Sequence, residues 1–216
     1  MEKIRIILLF LIATISQVSE MRADSPLTST DFYTAYLDIP IVKSAANKRG
    51  VLSIDAKVFL YDNKNPLDQK LALINAVGWN FNGLTSYQEY LYFCKDKFRT
   101  ENKLSSGQKI SDLEIVAALP PEQMVVLAYL SALSDYFDMS VPWMFSRLAL
   151  SDKENSQSYM LPIALILAQM YLDSDEWCNV YKVMQDLFVN ATNKDMRSRA
   201  VIQIMNYING YKEYCN

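Results

Sequence analysis

The side chains here that can do chemistry are carboxylates, cysteines and aromatic rings. Histidine is absent from all 216 residues, which removes the commonest general base and the commonest metal ligand. A serine or cysteine nucleophile activated by histidine is therefore excluded. Three cysteines fall short of an all-thiolate zinc site. No glycine-rich phosphate loop, Gly-x-Ser-x-Gly elbow or metal-ligand spacing occurs. The sequence thus points to no cofactor and no metal, and leans away from an enzyme. Carboxylates keep one catalytic reading open: Asp135 and Asp138 flank Tyr136-Phe137, and Asp173-Ser174-Asp175-Glu176 is the densest acidic cluster. A carboxylate-dependent hydrolase would need these groups in one pocket. The simpler expectation is that they cap the helices that follow.

Rings are abundant, with 14 Tyr, 9 Phe and 3 Trp. Tyr87, Tyr90, Tyr92, Trp143, Trp177 and Tyr181 fall on short helical segments and cannot all face a core. They are the candidate binding residues, because Tyr and Trp are the rings that anchor partners at interfaces.

The start of the chain reads as a secretory signal peptide over residues 1–23. Lys3 and Arg5 precede the apolar run Ile6 to Ile15, and small residues follow at Ser16, Ser19 and Ala23. The run is shorter than the ~20 residues needed to span a bilayer, so no stable membrane insertion is expected after cleavage. The mature chain, residues 24–216, is expected to be exported, periplasmic or extracellular. It should form one domain, since it is 51% hydrophobic and 21% charged over the full sequence. A net charge of −3 without a basic stripe makes nucleic acid an unsuitable partner. In an oxidising compartment two of the three cysteines can pair.

These residues need elements to hold them. Residues 24–66 read as a polar lead-in and irregular helices: Ser29, Thr30 and Asp31 can cap a helix at Phe32, Pro40 interrupts it, and Asp62 to Pro66 is a break. Val51 to Tyr61 fits a helix with Ile54, Val58 and Tyr61 on its face, or a short buried strand; the helical context downstream favours the helix. From residue 67 the chain looks repetitive. Four apolar segments, starting at Leu71, Val125, Ile163 and Arg199, superimpose without gaps. In three of them a ring falls two turns after a small residue: Trp79 after Ala72, Tyr171 after Ala164 and Tyr207 after Ala200. The first three segments are each followed by an aromatic helix, Tyr87 to Phe98, Trp143 to Leu150 and Trp177 to Phe188. The result is helix–turn–helix units of about 36–38 residues, the first carrying a polar insertion, Thr100 to Asp112. The fold class expected is all-α, with hairpins of residues 67–216 stacked into a short curved solenoid.

Cys178 opens the second helix of the third unit, and Cys215 lies 37 residues on, close to one unit offset. They are the preferred disulfide, with Cys94 left as a buried thiol.

Within the third unit, Ala168, Tyr171, Val180, Met184, Leu187 and Phe188 stand in a pattern that resembles tetratricopeptide repeats. The usual glycine is missing and Val180 replaces a small residue. The resemblance implies a curved array that binds a peptide or protein. The functional expectation is an exported, non-catalytic helical-repeat protein with a protein or peptide partner. The alternative is an inhibitor or immunity protein against a secreted toxin or enzyme.

Overall fold

A computed structural model describes residues 25–79, 85–105, 109–150 and 155–215. The expected signal peptide and its cleavage position lie outside the described residues. Among the described residues the chain forms ten α-helices, with a 3₁₀ turn at either end and no strand. A single parallel bridge joins Ser156 to Asn193. The helices are α1 (Pro40–Ala46), α2 (Ile54–Tyr61), α3 (Leu67–Val77), α4 (Ser86–Glu101), α5 (Asp112–Ala118), α6 (Pro121–Ser134), α7 (Ser140–Ala149), α8 (Gln157–Asp173), α9 (Trp177–Asn190) and α10 (Ser198–Ile208). The 3₁₀ turns are Phe32–Tyr36 and Asn209–Tyr214. The fold is all-α, as the sequence predicts. No described helix is long and apolar enough to cross a membrane.

Local chemistry sets the helix starts. Pro40 and Pro121 occupy first-turn positions, where a missing N–H costs nothing. Ser53 and Ser156 accept the N–H groups of Ala56 and Tyr159. Thr85 with Gln88, and Ser111 with Glu114, form complete capping boxes. Asp31 makes no side-chain cap, contrary to expectation. Helix α3 ends at Gly78, whose φ of 63° suits glycine, and an added Cβ there would lie 3.0 Å from the Arg49 guanidinium.

Three helices are buried nearly all round. Leu71 to Val77 of α3, Val125 to Leu133 of α6 and Leu161 to Ile166 of α8 are all buried. All three touch one another, and the other elements wrap them. Helix α1 and the first 3₁₀ turn cover α3, α4 and α7 cover α6, and α9 covers α8. Three of the four repeated segments are thus the inner helices, and Ala72, Ala164 and Ala200 are buried as their register requires. The packing is not an open row of units, however. Helix α3 of the first unit meets α8 of the third, and α10 packs on the first 3₁₀ turn.

Helix α2 confirms the helical reading of Val51 to Tyr61 but reverses its face. Ile54 and Val58 are exposed, while Ala56 and Leu60 are buried. The insertion is exposed at most of its described residues but leads directly into α5, which sequence reading missed.

One clasp joins the two ends of the chain. The Arg197 guanidinium stacks 4.5 Å over the Tyr36 ring, pairs with both oxygens of Asp38 and donates to the Ala35 carbonyl at 2.8 Å. The backbone N–H of Arg197 donates to the Tyr36 hydroxyl. The hydrogen bonds from Arg197 hold the Asp38 carboxyl below its ordinary value. A carboxyl depressed on folding stabilises above its unfolded pKa, and that contribution is lost as pH falls through the folded value. Asp38→Asn should therefore lower the melting temperature at pH 7, and the gap from the parent should close on acidification below about pH 3.9. Thermal melts of both proteins across that range check it; a gap independent of pH would refute the electrostatic role.

Candidate partner-binding surface

The six predicted ring residues separate into three groups, one buried, three half-buried and two exposed. Tyr90 is fully buried: its hydroxyl donates to Gln123 Oε1 at 2.6 Å, and Gln123 Nε2 donates to the Leu60 carbonyl at 2.9 Å. It belongs to the core and leaves the candidate surface. Tyr87 is half-buried against Phe145, with ring centroids 6.1 Å apart, and burial pushes its hydroxyl pKa up. Trp143 and Tyr181 are likewise half-buried and packed on the core. Tyr92 is half exposed, with Lys95 Nζ 5.6 Å from its ring centre. Trp177 is exposed at the start of α9 and meets Tyr214 edge-on. Tyr92 and Trp177 sit on different layers, α4 over α6 and α9 over α8, so the six do not form one groove.

The most exposed large apolar residue among the described residues is not one of the six. Phe137 is 81% exposed at the turn between α6 and α7. It stacks in a ladder of three rings: its centroid lies 4.2 Å from that of Tyr136, which lies 4.7 Å from Trp79. The turn is held by local bonds, Phe137 N–H to Asp135 and Ser140 N–H to Asp138. Met144, Leu148 and Leu150 of the following hairpin arm are exposed too. Four large apolar side chains are thus exposed between residues 137 and 150. The signal was in the sequence: Tyr136-Phe137 stands between two aspartates in a turn, and only Tyr136 of the two packs on the core.

The carboxylates do not gather. Asp135 and Asp138 lie in the α6–α7 turn and are engaged as above, with the Asp138 carboxyl held low by its bonds to Ser140. Asp173 accepts from Gln169 at 2.7 Å. Asp175 lies in a separate cleft that none of the other three lines. Asp138 accepts the first N–H of α7 two residues on, but the cap position is Met139, which makes no side-chain capping bond. The acidic cluster before α9 supplies no cap either: the cap position there is Glu176, with no side-chain capping bond. Among the described residues no group of three Cys, Asp or Glu is placed to hold a metal ion.

Cys178 and Cys215 stand at disulfide distance, with Cα atoms 4.8 Å apart. Cys94 is free and buried, and burial pushes its thiol up to about 12, so it stays protonated and inert. An apolar groove of about 430 Å³ runs between α8 and α9, floored by Met160, Ile163, Leu167 and Val183 and edged by Asn155 and Asn190.

Compared with protein-family models, with curated proteins and with solved structures, the chain finds no match in any of the three.

Proposed function

We propose that this is an exported helical protein that binds a protein partner through the apolar surface of the α6–α7 hairpin. The observation that carries it is Phe137, exposed and braced by Tyr136 and Trp79. A ring held rigid before binding loses little entropy on association, and such rings are what interface hot spots are made of. Met144 and Leu148, one turn apart on α7, are further exposed apolar side chains of the same hairpin. The disulfide pair is compatible with an oxidising compartment. The likeness of the third unit to tetratricopeptide repeats points the same way, towards a peptide or protein ligand.

The test uses the mature protein recovered from its native producer, with parent and Phe137→Ser/Met144→Ser forms immobilised side by side. A partner held by the parent and lost by the variant, both equally helical by circular dichroism, is the expected result. The same captured set from both would overturn the assignment of this surface. The mass of the native protein should place its N-terminus between Gln17 and Asp24, and an intact Met1 on a cytoplasmic species would overturn export.

A further inference from the structure

The disulfide does more than fasten the C-terminal segment. Each bridged cysteine follows an aromatic residue, Trp177 before Cys178 and Tyr214 before Cys215. The bridge therefore holds two exposed rings together at a corner. Their centroids are 4.6 Å apart and their planes meet at 80°. Trp177 is 37% exposed and Tyr214 46%. The corner opens on a cleft of about 420 Å³ whose remaining walls are Asp175, Glu176 and Asn179. The indole is fixed in turn, because its Nε1–H donates to Asp175 Oδ1 at 3.3 Å, and Asn179 Nδ2 donates to Glu176 at 2.5 Å. No lysine or arginine lines the cleft.

Two ring faces at a right angle beside two carboxylates are complementary to one kind of guest. The rings touch edge to face, so a guest sits in the cleft that both rings line, where ring quadrupoles and the two carboxylates add up to a negative surface. An inorganic cation would need its hydration shell replaced by several converging oxygens, and the rings offer none. An anion would meet only repulsion. An alkylammonium group, with diffuse charge and an apolar surface, satisfies rings and carboxylates together. We infer that the Trp177–Tyr214 corner is a binding site for an alkylammonium group, either on a small quaternary amine or on a lysine side chain. The inference does not depend on the Phe137 surface, which lies on another hairpin.

The site also gives the acidic cluster a role that capping does not. Asp175 has a φ of 57°, a conformation that non-glycine residues seldom adopt. That conformation sets its carboxylate against the indole edge, beside the cleft. The bridge supplies rigidity, so the two rings need not be ordered when a guest arrives.

The test follows the indole N–H resonance of Trp177 in the oxidised mature protein, assigned by its loss in Trp177→Phe. Choline chloride is titrated against equal concentrations of sodium chloride and of the neutral tert-butyl analogue of choline. A saturable shift with choline alone is expected, and it should weaken as ionic strength rises. A short capped peptide with a central lysine, or its trimethylated form, makes the second arm. A tighter response to choline assigns the site to a small amine, and a tighter response to peptide assigns it to a partner's side chain. Tyr214→Leu should weaken binding about tenfold, and Glu176→Gln, which leaves packing intact, severalfold. The inference is overturned if neither cation shifts the resonance beyond salt, or if the neutral analogue does so equally.

Discussion

Replacing Glu122 with alanine is expected to destabilise the protein by about 3 kcal/mol. The cause is Lys70, whose side chain is completely buried and whose ammonium pairs with the Glu122 carboxylate. Removing the carboxylate leaves a buried charge without its counter-ion, a change that typically costs about 3–5 kcal/mol. The lower end applies because Glu122 is partly open to water, and solvent can reach the vacated position. Lys70→Met removes the charge and keeps the volume, so it should stay within about 1 kcal/mol of the parent or exceed it. The double variant Lys70→Met/Glu122→Ala should then recover most of the loss from Glu122→Ala. Urea unfolding of the four proteins, read as midpoint and slope, tests the cycle. Equal losses from Glu122→Ala in the two backgrounds would show that the pair is not coupled.

The second large effect is that of the bridge. Cys178 and Cys215 close a loop with a sequence separation of 37. In the chain-entropy description such a closure stabilises by roughly 3–4 kcal/mol. Cys178→Ser/Cys215→Ser should lower the urea midpoint accordingly, and a reducing agent should do the same to the parent but not to the variant. The loss should begin locally. The Asn209–Tyr214 turn packs on α9 and buries Tyr211, which its own short segment cannot hold in place. Trp177 should therefore change environment before the main helical transition. Unfolding of oxidised and reduced parent at the same midpoint would mean that the tail is held by packing alone.

How legible was this in the sequence? The inner helices were, because a segment apolar all round has only one place to go. The Cys178–Cys215 pair was legible from its offset of nearly one unit. Other features had local signals that were misweighted. Helix α5 was announced by Ser111 and Glu114 at capping-box spacing and by Ile115-Val116, yet it was hidden behind a polar insertion. Tyr90 and Tyr92 were both surface candidates although two positions along a helix is a rotation of about 200°; that rotation puts them on different faces, and it is the Tyr90 face that enters the core. On α2 Ile54, Val58 and Tyr61 suggested the buried face, but Ala56 and Leu60 occupy it instead. Two features had no local signal at all. A lysine ordinarily lies at the surface, and only the position of Glu122, 52 residues away, explains why Lys70 does not. The clasp of Arg197 on Tyr36 and Asp38 joins residues 159 to 162 apart in sequence, which no repeat period encodes.

That clasp governs when the protein can become itself. The 3₁₀ turn Phe32–Tyr36 packs on α10 as well as on α3, so its packing is complete only when the residues of α10 are available. Contacts this distant in sequence delay folding, since their closure entropy must be met before they stabilise anything. A ribosome-bound chain lacking its final two dozen or so residues would hold its inner helices in a loose, searching state. The contact that fastens the first turn is therefore among the last to form.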